Sequence, residues 1–186
     1  MLVLCERHRL SSMRVTRLNP GHVEPYRALM LEAYRLHPDS FTSSVAERSI
    51  LPLSWWECRL AAGASATEVV FGAFIQAELA GVAGLSFDTR EKTRHKSTLF
   101  GMYVPDRFRR RGVARQLLGE VLRYARSHPD TTITQLTVTA GNTPALSLYE
   151  SSGFLQFGTE PCAVRVGAEY ISKVHMWCKH ARPSEN

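Results

Sequence analysis

The sequence predicts a mixed α/β fold: a central, mostly antiparallel mixed sheet of about seven strands with helices on both faces. Two kinds of apolar pattern predict it. Short apolar or alternating runs, the signature of strands, are interspersed with stripes at helical spacing. Three of the strands follow one another directly, which makes a meander. A strand–helix–strand crossover then follows, and the combination gives a mixed sheet.

The elements run in this order. Met13 to Leu18 (MRVTRL) alternates apolar and polar residues, as a half-buried strand does. Asn19 and Pro20 make a helix start, and Val23, Tyr26, Leu29, Met30, Ala33 and Leu36 follow helical spacing until His37-Pro38 ends the run. Ser54 to Ala62 is a weaker helical stretch. Glu68 to Gln76 (EVVFGAFIQ) and Leu79 to Phe87 (LAGVAGLSF) read as a hairpin, and Ser97 to Val104 (STLFGMYV) as the next strand. Val113, Leu117, Leu118, Val121, Leu122 and Ala125 stripe a long helix over Gly112 to Ser127. Thr132 to Thr139 is a strand, Pro144 to Ser152 a short helix, and Phe154 to Phe157 another strand that Val164 to Val166 could continue. Tyr170 to Lys179 closes the sheet.

Composition sets outer bounds. The 186 residues, 44% hydrophobic and 22% charged, suit one domain with a real core and argue against disorder or a fibrous repeat. No Gly/Ser linker or internal repeat divides the chain, so a single domain is expected over 13–180, with an extension at 1–12 and a tail at 181–186. No apolar run approaches the roughly 20 residues that a membrane helix needs, so no membrane partner is expected. The apolar part of Met1 to Leu10 is too short, and too soon interrupted by charge, for a secretory signal, and a cytoplasmic location is expected. The four cysteines, Cys5, Cys58, Cys162 and Cys178, have no CxxC spacing and read as reduced thiols. His175 and Cys178 would point to opposite faces of one strand, so no metal site is expected with His180.

The formal net charge is +6, and five arginines (Arg107, Arg109, Arg110, Arg111, Arg115) lie together. They sit between a strand ending at Val104 and a helix opening near Gly112. The first turn of a helix carries unpaired N–H groups and a partial positive charge, and a glycine lets a diphosphate approach the backbone. Arginines add charge-assisted bonds to phosphate oxygens. The chemistry is that of a phosphate-bearing ligand, but without a Walker lysine motif or GxGxxG. A basic nucleic-acid-binding domain is the competing reading. It has no helix-turn-helix, RNP or zinc-finger signature behind it, and no nucleic-acid partner is expected.

Arg109-Arg110-Arg111-Gly112-Val113-Ala114 resembles the Gln/Arg-x-x-Gly-x-Gly/Ala signature of the GCN5-related N-acetyltransferase (GNAT) superfamily. About thirty residues on, Asn142-Thr-Pro-Ala145-Leu-Ser-Leu-Tyr149-Glu-Ser-Ser-Gly153-Phe154 is similar to a second pattern of that family. The resemblance covers roughly residues 13 to 180 and implies an acyl-CoA N-acyltransferase fold. It implies that the strand Leu99 to Val104 splays from the strand Ile133 to Val138, with pantetheine in the gap against backbone at Met102, Tyr103 and Val104. The diphosphate would rest on N–H groups from Arg110 to Arg115, beside Arg109, Arg111, Gly112, Val113 and Ala114, while Asn142 and Ala145 border the pantetheine arm. The function implied is transfer of an acetyl group from acetyl-CoA to a primary amine by direct attack in a ternary complex, with Tyr149 as general acid. No metal is implied.

The remaining residues are less constrained. Glu47, Glu57, Asp88 and His95 could border the acceptor, and Asp88 is the candidate base because it ends the strand beside the motif strand. His37 to Ser44 resembles the acceptor-side loop of bacterial small-molecule members; Phe41, Trp55 and Trp56 could line the acceptor pocket. The acceptor would be a small-molecule or peptide amine, and the protein a monomer or homodimer. A protein (lysine or N-terminal) acetyltransferase and a non-catalytic acyl-CoA-binding module are the alternatives.

Overall fold

A computed structural model describes residues 13–63 and 66–180; the expected extension and tail lie outside the described residues. The strands are β1 (Met13–Arg17), β2 (Glu68–Ile75), β3 (Glu78–Phe87), β4 (Lys96–Tyr103), β5 (Ile133–Thr139), β6 (Leu155–Val166) and β7 (Glu169–Lys179). They form one seven-stranded sheet in the spatial order β1-β2-β3-β4-β5-β7-β6. Every neighbouring pair is antiparallel except β4 with β5. The helices are α1 (Val23–Leu36), α2 (Val45–Ser49), α3 (Leu53–Leu60), α4 (Val113–Ser127) and α5 (Thr143–Ser151).

Two cores explain the composition of the central strands. On one face Val69, Phe71, Ala73, Ala83 and Leu85 meet the α4 stripe. On the other, Val70, Phe74, Leu79 and Val82 meet Tyr26, Leu29 and Met30 of α1 and Trp56 and Leu60 of α3. β2 and β3 are thus buried on both sides, which is why they read as nearly continuous apolar runs. The α4 stripe Val113, Leu117, Leu118, Val121, Leu122 and Ala125 is buried throughout. Truncating Leu117, which has no exposed surface, to alanine should cost about 2–5 kcal/mol.

One element was missing from the sequence reading, and another joins the two runs that the reading allowed to be one. Helix α2 was not expected. It begins at a capping box in which Ser44 and Glu47 each satisfy the other's backbone N–H, a local signal carried by the sequence Ser-Val-Ala-Glu. β6 runs unbroken from Leu155 to Val166, so Val164 to Val166 does continue the strand that begins near Phe154. It stays paired to β7 through register shifts after Gln156 and Glu160, and Cys162 takes a left-handed φ of 54° in the second. The proline in that run, Pro161, is tolerated because β6 is the sheet's edge.

The β4–β5 seam positions the site. Only Lys96–Ile133, Ser97–Thr134 and Thr98–Gln135 pair. A buried side-chain chain bolts this end: Ser97 Oγ lies 2.8 Å from Thr134 Oγ1, which lies 2.8 Å from His180 Nε2. Beyond Thr98, β4 leaves β5. Its register against β3 slips between Gly84–Phe100 and Val82–Tyr103, so β4 carries an extra residue there, and Gly101 takes a φ of +59°. Such a bulge bends its strand and leaves the extra residue's backbone groups out of the ladder.

Candidate active site

Where β4 and β5 part, a cavity of about 210 Å³ opens. Its walls are β4 from Thr98 to Met102 and β5 from Leu136 to Thr139, with Ser40, Phe41 and Thr42 on the loop after α1, and Asn142 and Tyr149 on α5. Asn142 Oδ1 accepts the Ala145 N–H at 3.2 Å, capping α5 and fixing its start beside the opening. Pro144 sits in the first turn, where its missing N–H costs nothing. That helix carries the buried Tyr149 ring edge-on to Phe154 at 5.8 Å. The Tyr149 hydroxyl donates to Met102 Sδ at 3.5 Å. Burial pushes the hydroxyl's pKa up to about 12, so at neutral pH it is a proton donor and not a base.

Beside the cleft, α4 starts at Gly112, whose φ of +79° and ψ of 0° favour glycine. No side chain caps this helix, and a Cβ on Gly112 would meet nothing within 4 Å. The helix start is therefore uncapped by any side chain, with open space at Gly112. The arginines divide into two sets. Arg107 pairs with Glu78 at 3.1 Å and Glu32 at 3.4 Å. Arg109 donates from Nε to the Val104 carbonyl at 3.0 Å, pairs with Asp106 at 2.7 Å and lies 3.2 Å from His37 Nε2. Arg110, Arg111 and Arg115 are exposed and have no carboxylate partner among the described residues.

Several sequence expectations change here. Arg109 was expected to contact the ligand's phosphates, but its guanidinium is taken up bracing the loop to the end of β4 and to α1. Tyr103 turns its ring away from the cleft toward α1 and donates to Glu32 Oε1 at 3.0 Å, so only its backbone faces the seam. Val104 and Val113 are core residues with buried side chains; Ala114 and Ala145 are half-buried against the same core. Trp56 does not line the pocket: it is 1% exposed and packs edge-on against Tyr26 in the core under α1. Phe41 does reach the cleft, supported edge-on by Tyr34 at 5.2 Å.

Asp88 is displaced as the base. It sits where β4 begins, its N–H on the Lys96 carbonyl, which is roughly 20 Å of strand away from Met102. Hydrogen bonds from Thr93 and Arg90 hold its pKa down to about 2, which makes it a poor proton acceptor. His95 lies at the same end, its carbonyl bound by Thr132 and Ile133. Glu47 is exposed and spent on the α2 cap. Tyr149 is the one titratable residue among those lining the cavity. Sequence reasoning missed Lys173 of β7. It is 4% exposed, and its Nζ donates to the Asp39 carbonyl at 2.7 Å and to Thr139 Oγ1 at 2.8 Å. It pins the Ser40–Thr42 wall to the end of β5. A lone lysine in an alternating strand carries no signal of this, because the partner carbonyl is 134 residues away.

Histidine and cysteine do not converge. His175 contacts Glu160 at 3.1 Å while His180 is on Thr134, and among the described residues no group of three or more His, Cys, Asp or Glu could hold a metal ion. Among the described residues no helix is long and apolar enough to cross a membrane.

A mixed seven-stranded sheet, opened beside a bare helix start, is the fold of solved acetyltransferase structures. Residues 30–154 match the model of the acetyltransferase (GNAT) family, more than half of the chain, and the chain belongs to that family. It is 30% identical over 122 residues (65% of this chain, 73% of the relative) to the L-amino acid N-acetyltransferase AaaT of Escherichia coli. A GNAT-family acetyltransferase structure from Streptococcus pneumoniae matches with a TM-score of 0.80 at 23% identity, over 91% of this chain and 100% of that one. The yncA protein of Salmonella typhimurium, solved with its cofactor acetyl-CoA, matches with a TM-score of 0.74 at 18% identity, over 95% and 100% of the two chains. These two likenesses establish the fold.

Proposed function

We propose that the protein transfers the acetyl group of acetyl-CoA to a primary amine of a small molecule, by direct attack within a ternary complex. The observation that carries this is the Tyr149 hydroxyl in the opened β4–β5 cleft, with its proton aimed at a sulfur. A hydroxyl that donates to the Met102 thioether can donate equally to the sulfur of a thioester in the same cleft.

The residues present fit acetyl-CoA. The open space above Gly112 and the uncapped first turn of α4 suit a diphosphate, with Arg110, Arg111 and Arg115 free to add charge. Asn142 and Ala145 border the route from there to Tyr149. The thioester supplies an acyl group already activated for attack. The bulge at Gly101 and Met102 supplies backbone N–H groups outside the ladder for the developing oxyanion. Tyr149 supplies the proton that the departing thiolate needs. A phenol near 12 is a weak acid for an ordinary thiol near 8.5, but the burial that raises the phenol raises a thiol as well, which narrows the gap. The cavity lining offers no carboxylate or imidazole, so the ammonium proton of the acceptor leaves through water or is lost before entry. No acyl-enzyme is required, and holding both substrates together supplies much of the acceleration.

The likeness to a relative named for L-amino acids puts amino acids first among acceptors to test. The test is thiol release from acetyl-CoA by purified protein across a panel of amino acids, simple amines, polyamines and peptides. Amine-dependent release is the expected result. Saturable acetyl-CoA binding with no release for any amine would favour the non-catalytic binding module instead.

A further inference from the structure

Lys173 is the one buried lysine among the described residues. It lies on the face of β7 opposite Val174, Met176 and Cys178, which belong to the core shared with α4. Farther along its own face His175 and Trp177 are half-buried and Lys179 is exposed. Lys173 alone is covered, and Asp39 of the loop between α1 and α2 lies over it. That loop carries the Ser40–Thr42 wall of the cleft. The other walls are held by the sheet and by α5, whereas between His37 and Thr42 the loop makes one turn bond of its own, from the Ser40 N–H to the His37 carbonyl at 3.0 Å. What places the loop comes from outside it. At one end His37 Nε2 meets Arg109 Nη2 at 3.2 Å. At the other the Asp39 carbonyl accepts from Lys173 Nζ at 2.7 Å and from Thr139 Oγ1 at 2.9 Å, while Lys173 Nζ also donates to Thr139 Oγ1 at 2.8 Å. The three groups close on one another across the ends of β5 and β7. Stability alone does not account for a lysine here. Burying an ammonium is costly, and both its partners are neutral oxygens. Burial draws its pKa below the ordinary lysine value, and the Asp39 charge opposes this only in part. An unbranched apolar side chain would fill the space without the charge, and the Asp39 carbonyl would keep the Thr139 hydroxyl. A residue that breaks a local rule and fixes geometry beside a cleft marks a functional constraint.

We propose that Lys173 is a positioning residue for the amine acceptor: it holds the Ser40–Thr42 wall against the end of β5 and so sets the acceptor's KM. It acts through the Asp39 carbonyl and Thr139, and it is not among the residues lining the cavity. This deepens the acetyl-transfer reading and rests on it. A charge-assisted bond is roughly twice as strong as a neutral one, so loss of the ammonium leaves this end of the wall on the weaker of its two bonds. Apparent affinity for the acceptor then falls with the fraction of molecules whose wall is in place.

The test is Lys173→Met, beside Lys173→Gln, which keeps an N–H donor on a side chain one bond shorter. The acceptor is whichever amine of the panel gives the fastest thiol release with wild-type protein. In Lys173→Met its KM should rise about tenfold, while kcat stays within about threefold of wild type and acetyl-CoA affinity by calorimetry within about twofold. Lys173→Gln should fall between. The melting temperature of Lys173→Met should match or exceed that of wild type, because the change removes a buried charge and orphans no carbonyl. A reading that needs no turnover comes from nitrogen relaxation by NMR: backbone order parameters at Ser40, Phe41 and Thr42 should fall from about 0.85 to below about 0.6. Unchanged order parameters overturn the hold. A loosened wall with unchanged KM, or a loss spread equally over KM, kcat and coenzyme affinity, overturns the role toward the acceptor. In each of these cases acetyl transfer stands. A collapse of stability in both variants makes the lysine a residue of the fold and overturns the proposal; if Lys173→Met alone fails to fold, the same readings in Lys173→Gln decide. A wild-type protein that acetylates no amine of the panel overturns the transfer reading and this role together.

Discussion

The two ends of the β4–β5 seam are made from the same pair of strands and do opposite things. At Lys96–Thr98 the strands pair, and the polar groups between them are closed among themselves through Ser97, Thr134 and His180. At Leu99–Met102 the β4 bulge breaks the ladder, and the polar groups there face a cavity with Tyr149 and Asn142. Parallel strands pair by evenly spaced bonds with no intrinsic reason to stop after three rungs. The stop comes from the bulge at Gly101 on one side and the capped start of α5 on the other. A satisfied buried network rigidifies, whereas unpaired backbone at a bulge is available to a ligand. If the proposed site is right, the paired end carries stability and the parted end carries chemistry, and variants at the two ends should separate these quantities.

The largest effect expected is at Gly112, on the parted side. Gly112→Glu places a carboxylate where the diphosphate is proposed to sit and forces a non-glycine residue into a φ of +79°. Acetyl-CoA affinity measured by calorimetry should fall by about a hundredfold or more, since both the approach and the sign of the charge are reversed. Gly112→Ala separates the two causes. It should cost about 1 kcal/mol of stability for the left-handed backbone while keeping most of the affinity, because a Cβ there meets nothing. Unchanged affinity in the glutamate variant would break the assignment of this helix start.

Tyr149→Phe comes next. It should lower kcat by about 10²–10³ with little change in acetyl-CoA affinity, the usual loss for a general acid. The fold should survive, since among the described residues the only hydrogen bond removed is the one to Met102 Sδ. The pH profile sharpens the point. In the proposed role Tyr149 must be protonated, and its pKa of about 12 keeps it so throughout the working range. With no basic side chain in the cavity, kcat/KM should climb with pH toward the pKa of the amine and show no descending limb below about pH 10. A plateau set near neutral pH, independent of which amine is used, would reveal an enzyme base.

Most of the fold was legible because it depends on local pattern. The α4 stripe, the double-sided burial of β2 and β3 and the Asn142–Gly153 helix follow from residues a few positions apart. Gly112 and Tyr149 were legible for the same reason, each marking an element boundary or a short motif. What escaped depends on contacts distant in sequence. Trp56 could be pocket or core, and only the packing of α3 on α1 decides it. The Asp88 expectation failed because a strand has two ends, and adjacency to β4 does not say which end is near the cleft. Arg109 opens the motif and Tyr103 ends the strand before it, yet they point at His37 and Glu32 of the α1 region, more than seventy residues back. Lys173 and Asp39 could be joined only by the fold.

The smallest effect belongs to the paired end and is the one that most sharply tests the contrast. His180 is 5% exposed and bonds Thr134 through Nε2, and its Nδ1 is without a partner among the described residues. His180→Ala should cost about 1–3 kcal/mol, for the lost packing and the hydroxyl left unpaired, with kcat and acetyl-CoA affinity near wild type. The wild-type protein should show the same end by pH. Burial lowers the His180 pKa in the folded state, so below about pH 6.5 the unfolded chain binds the extra proton more readily. The stability that depends on neutral His180 is therefore complete above that pH and is lost as the pH falls further. The melting temperature should drop more steeply on acidification in wild type than in His180→Ala. Equal slopes would mean that His180 is not titrating with unfolding, and a loss of activity in His180→Ala would mean that the paired end reaches into the cleft after all.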